Sequence, residues 1–308
     1  MLIGTIQHIW RYPVKSMAGE RLAGCIVGSL GLPGDRGWAV RDEIKSEIKT
    51  GTRIPLLMQC ASRYREPPSH ENIPHVDIIF PDGSTVASAD PEVDARLSAV
   101  LGRRVKLWPR QPASNKDHYR RHGTAARVIA PLTNLPGFRA LLPTITKLPN
   151  LDATLRAAFS RAPEEPIPDI SRLPKELFEF TSPLGTYFDA FPIHVLTSAS
   201  LAVMSQSNPA ANWDVRRFRP NFLVETVEGI EGLVESDWVG KTLRIGSAEL
   251  KCEMPAVRCG MTTNAQTGLP KDPSVLRTIV KDAAQNLGVY ANVVTEGQVS
   301  EGDRVELL

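Results

Sequence analysis

A chain of 308 residues with 42% hydrophobic content is globular and can bury the core of one large or two ordinary domains. Its 36 basic and 34 acidic residues leave a net charge of +2, which excludes a general electrostatic drive toward nucleic acid or an acidic membrane surface. The four cysteines, Cys25, Cys60, Cys252 and Cys259, are too few and too scattered for a disulfide framework. They also lack ferredoxin spacing, so electrons for any redox chemistry must come from another protein. The sequence has no secretory leader pattern and no apolar run approaching about 18 residues, so a soluble, cytoplasmic protein in a reducing compartment is expected.

Residues 2 to 10 mix Ile3, Ile6, Ile9 and Trp10 with smaller polar residues and read as a strand. The strand runs into Tyr12-Pro-Val-Lys-Ser-Met-Ala-Gly19, a loop whose Lys15 and Ser16 place an ammonium beside a hydroxyl. That pair suits a phosphate oxygen, although an exposed Lys-Ser is more often solvated surface. Gly31-Leu-Pro-Gly-Asp-Arg-Gly37 is a turn leading into a strand, with Arg36 as a second candidate anion ligand. Its glycines form neither a dinucleotide fingerprint nor a Walker loop. Strands are predicted at 54–64, 76–80, 85–87 and 105–108. A helix is predicted from Asp90-Pro91 to Gly102.

From residue 110 to 183 the pattern changes to a proline-rich insertion with a basic cluster at Tyr119-Arg-Arg-His122 and a helical run at 151–161. His118 and His122 would share a helix face, but two histidines are half a metal-ligand set, and a metal site there is not expected. Strand character resumes at 188–196. Thr197 or Ser198 should cap the helix that follows. Arg216, Arg217 and Arg219 crowd the approach to the Phe222-Leu-Val strand. Their mutual repulsion predicts an anionic partner, either Asp214 or a ligand. A hairpin at 238–253, a helix at 273–287 stopped by Gly288, and strands at 290–295 and 304–307 complete the chain.

Cys259 lies in Met254-Pro-Ala-Val-Arg-Cys-Gly-Met-Thr-Thr263. Read alone, it is more readily a buried small hydrophobe than a nucleophile, sulfur carrier or metal ligand. Cys252 is expected in the core of the preceding strand.

Four separated motifs change the reading of Cys259: Tyr-Pro-Val-Lys-Ser, Gly-Asp-Arg, Arg-Phe-Arg-Pro-Asn and Arg-Cys-x-Met-Thr-Thr, in that order. Together they resemble the MOSC proteins, and among them the amidoxime-reducing components and their bacterial counterparts. The resemblance implies a mostly β fold with some α, with an N-terminal MOSC-type β-barrel domain at 1–109 and a MOSC β-barrel domain at 184–308; it does not cover the Pro-rich insertion or linker at 110–183. It also implies a molybdenum pyranopterin cofactor in the molybdopterin form, without a nucleotide, held between the domains. By the same resemblance Cys259 is the catalytic residue and supplies a thiolate to the metal, while Lys15, Ser16 and Arg36 contact the cofactor phosphate. Arg219 and Asn221 hold the pterin, and Asp189 and Thr197 are further cofactor-binding positions. The implied activity is reduction of small N-oxygenated substrates such as hydroxylamines and amidoximes, with an external flavin or iron-sulfur protein as electron donor. Two alternatives remain, a persulfide carrier using Cys259 and a cofactor carrier without turnover. Relatives often carry Asp-Pro-Glu/Asp-Thr-Gly after the threonine pair, where this chain has Asn264-Ala-Gln-Thr-Gly268.

Overall fold

The computed structural model describes residues 1–308, apart from the side chains of Thr124, Ala125 and Val128. Chain order gives nine strands before the insertion: β1 (Leu2–Arg11), β2 (Glu20–Leu22), β3 (Gly24–Val27), β4 (Trp38–Asp42), β5 (Glu47–Ile48), β6 (Ala61–Tyr64), β7 (Val76–Ile79), β8 (Thr85–Ala87) and β9 (Val105–Pro109). Helix α1 (Val93–Leu101) precedes β9 and ends at Gly102, whose left-handed backbone caps it. Sheets β5-β4-β9 and β6-β7-β8 close over a core that includes Val14, Trp38, Leu57, Ile78 and Leu97.

The insertion is helical: α2 (Lys116–Tyr119), α3 (Thr124–Ile129), α4 (Phe138–Ile145) and α5 (Pro149–Phe159). It has an apolar cluster of its own, built on Ile129, Phe138, Leu142, Leu151 and Phe178. The last part of the chain holds β10 (Ile193–Thr197), α6 (Ser198–Ser207), β11 (Phe222–Thr226), β12 (Thr242–Ile245), β13 (Ala248–Val257), α7 (Pro273–Asp282), β14 (Asn286–Thr295), β15 (Gly297–Ser300) and β16 (Arg304–Leu307).

Seven strands close a barrel in the order β11-β10-β14-β13-β12-β16-β1, with β1 pairing back to β11 through Gly4 to Ile9 opposite Phe222 to Thr226. The barrel therefore borrows its closing strand from the N-terminus, and closure leaves no unpaired sheet edge between these strands. The Tyr12 to Gly19 loop follows directly from that strand and so emerges at the barrel's mouth. Along β13 burial alternates with period two, so Ala248, Leu250, Cys252, Met254 and Ala256 face the core. Cys252 is a fully buried core residue, as expected.

Several element boundaries differ from the sequence reading; the hairpin expected from 238 begins at Thr242, after a 3-10 turn that ends at Trp238. The stretch 54–64 divides into a 3-10 turn, Pro55–Gln59, and β6, because Pro55 at its start cannot donate to a sheet ladder. The strand expected at 188–196 begins at Ile193, after Pro192. Helix α7 stops at Asp282 rather than running to Leu287. Ala284 and Gln285 take left-handed backbone and reverse the chain into β14, which contains Gly288. Among the described residues no helix is long and apolar enough to cross a membrane.

Candidate functional site

The loops after β1 and before β4 meet the segment before β11 around one aromatic ring. Tyr12 is 3% exposed and donates its hydroxyl to Pro220 O. The Arg219 guanidinium lies 4.1 Å from the ring centroid and that of Arg36 4.8 Å away. Asp35 collects the charge: it accepts from Tyr12 N at 2.8 Å and Asn221 Nδ2 at 3.0 Å, and it pairs with Arg36. Ser16, Arg36 and Arg219 all hold left-handed backbone, with φ of 70°, 48° and 55°. Side-chain-bearing residues rarely adopt such values, and they persist only where surrounding contacts enforce them.

Above this network lies an open-mouthed cavity of about 50 Å³. Arg36, Asp189, Arg219, Asn221, Arg258 and Cys259 are in its wall, as are His194 and Tyr290. Burial and the Arg258 charge hold the His194 imidazole well below its ordinary range, so it stands neutral at pH 7. Burial pushes the Tyr290 hydroxyl up to about 12. Burial brings the Arg219 guanidinium down to about 10, with Arg36 adding repulsion against the opposing pull of Tyr12.

The three arginines before β11 separate into different roles. Arg216 pairs with Asp214 at 2.7 Å, which supplies the anion the sequence called for. Arg217 is fully buried and donates to the carbonyls of Asn212 and Pro270. Arg219 donates Nη1 to Met17 O, but its Nη2 is buried with no partner among the described residues. Nε of Arg258 is unpartnered in the same way, while its Nη2 donates to Phe218 O at 2.6 Å. Two arginines that each carry an unpartnered guanidinium nitrogen therefore line one cavity.

Cys259 follows β13 and opens the 3-10 turn Gly260–Thr263. Thr262 donates both N and Oγ1 to Cys259 O, and Thr263 Oγ1 donates to Gly260 O, so the threonine pair fixes the turn. Across from the thiol, Thr52 Oγ1 lies 3.5 Å from Cys259 Sγ. Its loop is pinned on two sides: Gly51 N donates to Ser16 Oγ at 2.9 Å and Asn264 Nδ2 donates to Gly51 O at 2.9 Å. The insertion closes in from behind. Arg161 is buried and donates Nη2 to Arg258 O at 2.8 Å and Nε to Gln285 Oε1 at 2.9 Å.

The expected cofactor ligands do not all face the cavity. Lys15 is 3% exposed and sends its ammonium to Tyr187 O, Phe188 O and Asp189 Oδ1, the last at 2.6 Å. Burial brings Lys15 below its ordinary range. It also works against the Asp189 charge, yet Lys15, Arg36 and Arg219 together outweigh it and hold Asp189 below the usual carboxylate range. Asp189 keeps a half-exposed edge at the cavity rim. Ser16 turns to the Gly51 loop. Asn221 lines the cavity but commits Oδ1 to His194 N and Nδ2 to Asp35 and Trp10 O. Thr197 stands apart. Its hydroxyl caps α6 by accepting from Ser200 N, donates to the buried Glu235 and does not line the cavity. His118 hydrogen-bonds Tyr187 Oη at 2.7 Å, and no group of three or more His, Cys, Asp or Glu among the described residues is arranged to hold a metal ion.

Sequence reasoning missed Tyr12, Asp35, Thr52, Arg161, His194, Arg258 and Tyr290. Tyr12, Asp35 and Arg258 lie inside the motifs quoted for the resemblance. The others become site residues only through long-range packing.

Residues 3–99 match the model of the MOSC N-terminal beta barrel domain, and residues 185–306 match that of the MOSC domain. The chain is a MOSC protein. Similar curated proteins span nearly all of it: mitochondrial amidoxime reducing component 2 of Bos taurus, 24% identical, over 98% of this chain and 83% of that one, and mitochondrial amidoxime-reducing component 1 of Homo sapiens, 25% identical, over 99% and 83%. Among solved structures, the YUAD protein from Bacillus subtilis aligns over 99% of this MOSC protein and 95% of that chain, at 10% identity and a TM-score of 0.41.

Proposed function

We propose that this MOSC protein is a molybdenum-cofactor-dependent reductase that removes oxygen from small N-oxygenated compounds such as hydroxylamines and amidoximes. The observation that carries the proposal is the pair of unpartnered donors, Arg219 Nη2 and Arg258 Nε, on two arginines that line one cavity together with Cys259. Each buried N–H without an acceptor costs on the order of 1–3 kcal/mol, which a ligand with acceptors at both points would recover. A pyranopterin offers ring oxygens, ring nitrogens and a phosphate, and the soft thiolate of a cysteine suits its metal. The residues present therefore fit the group.

When bound, the molybdopterin form of the cofactor supplies a two-electron redox couple. Cys259 would provide the thiolate, and Arg36, Arg219 and Arg258 the positive wall for the anionic pterin. Asn221 and Asp35 would keep that wall in register by joining the loop after β1 to the segment before β11. Lys15 and Ser16 would act mainly as framework, holding the Asp189 rim and the Thr52 loop. Overall, the N–O bond breaks, two electrons and two protons are taken up, and the reduced nitrogen compound and water leave. The electrons come from an external flavin or iron-sulfur protein.

The full-length likeness to amidoxime-reducing components supports this reading. Reductase assays with an artificial donor test it. Molybdenum-loaded protein should reduce benzamidoxime and Cys259→Ala should not; full activity in Cys259→Ala overturns the proposal. Cyanolysable sulfur on Cys259 without molybdenum would assign the protein to sulfur transfer instead.

A further inference from the structure

Cys259 and its turn separate two cavities. The first is the arginine-lined one already described. The second, on the insertion side of the turn, is an open cavity of about 310 Å³. It is bounded by Thr52, the residue nearest the thiol across the gap, and by Gly260, which follows Cys259. We propose that this second cavity is the substrate subsite and is built for a small N-oxygenated compound carrying an anionic group, with Lys271 as the counter-charge. The inference rests on the proposed reductase chemistry and adds its substrate class.

The wall chemistry favours a polar, negatively charged occupant. Thr52, Ser160, Thr263 and Asn264 offer hydroxyls and an amide, Pro273 and Leu276 form an apolar side, and the lining contains neither a carboxylate nor an aromatic ring. Two cations complete it. Arg277 is already committed, pairing with Glu165 and donating to Ser160 O. Lys271 is exposed and has no ion-pair partner among the described residues. Its neighbour Asp272 is committed elsewhere, accepting from Ser274 N, Ser274 Oγ and Asn212 N. An uncompensated ammonium at the edge of a carboxylate-free cavity attracts an anion and repels a cation.

The insertion sets the shape of this chamber. Ser160 enters its wall from the end of α5, with left-handed backbone at φ 55°. Arg161 next to it is fastened to Arg258 O and Gln285, so the wall is tied to the residue before Cys259. A side-chain atom added at Gly260 would come within 2.2 Å of Ser160 Oγ, so insertion and turn are in close contact. The first cavity is lined by the arginines that carry the unpartnered donors and suits the cofactor. The second lies beside the Cys259 turn, bounded by Thr52 and Gly260, where a substrate would not compete with the pterin.

A matched set of probes tests the inference: benzamidoxime, 4-carboxybenzamidoxime and 4-(aminomethyl)benzamidoxime, with the parent protein and Lys271→Gln. In molybdenum-loaded parent protein the carboxylate should have the lowest KM and the ammonium compound the highest. In Lys271→Gln the KM advantage of the carboxylate over the neutral compound should shrink by about tenfold, the scale of one charge-assisted contact. Calorimetric titration of cofactor-free full-length protein with 4-carboxybenzamidoxime gives a readout independent of turnover, and binding should weaken by a similar factor in Lys271→Gln. Equal KM for the three compounds, or carboxylate binding indifferent to Lys271→Gln, overturns the subsite. Lys271-dependent binding without reduction of any compound upholds the subsite and overturns the reductase reading.

Discussion

The Arg219 guanidinium rests 4.1 Å from the Tyr12 ring centroid while one of its nitrogens, Nη2, meets no acceptor. Stacking fixes the group's plane, and Met17 O fixes one end, so the unpartnered Nη2 is held in place on a residue that lines the cavity. Arg219→Ala should therefore cost the folded chain little, about 1–2 kcal/mol for the lost cation–π contact and hydrogen bond. It should reduce cofactor retention by about tenfold or more. Arg219→Lys should not restore retention, because a lysine cannot stack and donate along two directions at once. Molybdenum content measured beside urea denaturation separates the two effects.

Lys15 makes the opposite prediction. Its ammonium satisfies two carbonyls and the Asp189 carboxylate, so Lys15→Met should destabilise even the cofactor-free protein. Because Asp189 is half open, the loss should be about 2 kcal/mol rather than that of a fully buried pair. Urea midpoints of cofactor-free protein check this.

Acid sensitivity follows from two neutral imidazoles. Burial, with the Arg41 charge nearby, lowers His118 to about 4, and burial with Arg258 lowers His194 well below its usual value. Below pH about 6.5 the unfolded chain takes up protons at both positions and the folded chain does not, so stability falls as pH drops. The His118 contribution is fully present above the unfolded pKa and fades down to about 4. Each histidine can remove up to about 1.4 kcal/mol per pH unit in that window. Urea titrations at pH 7.5 and 5.5 should show the loss, and His118→Gln should make it shallower.

The contact between insertion and turn can be tested in pairs. Gly260→Ala should destabilise by about 1–3 kcal/mol through overpacking against Ser160. Ser160→Gly alone should be neutral or stabilising by up to about 1 kcal/mol, because Ser160 holds a left-handed helix-capping conformation that glycine adopts freely. The double variant should recover most of the Gly260→Ala loss, as measured by thermal unfolding.

The strands, the caps and the place of Cys252 were legible because they rest on local rules: period-two burial along β13, a threonine before α6 and a glycine after α1. The family was legible from four ordered motifs. The division of labour within the site was not. Lys15 reads as an exposed phosphate ligand in sequence, whereas in the fold Tyr187, Phe188 and Asp189 approach from more than a hundred residues away and occupy its ammonium. Thr197 was expected at the cofactor and instead caps α6 against Glu235, a partner far along the chain. Arg161 carried no local signal, because its role depends on the insertion folding back onto Arg258.

The central claim is that Cys259 is the metal end of a cofactor cavity. Its most direct test is the molybdenum and pterin content of full-length protein purified from a host that synthesises the cofactor, with Cys259→Ala beside it. The account predicts equimolar molybdenum and pterin in the parent and loss of molybdenum in Cys259→Ala, with folding unchanged. A parent protein free of both, or a Cys259→Ala protein that retains molybdenum in full, would contradict it.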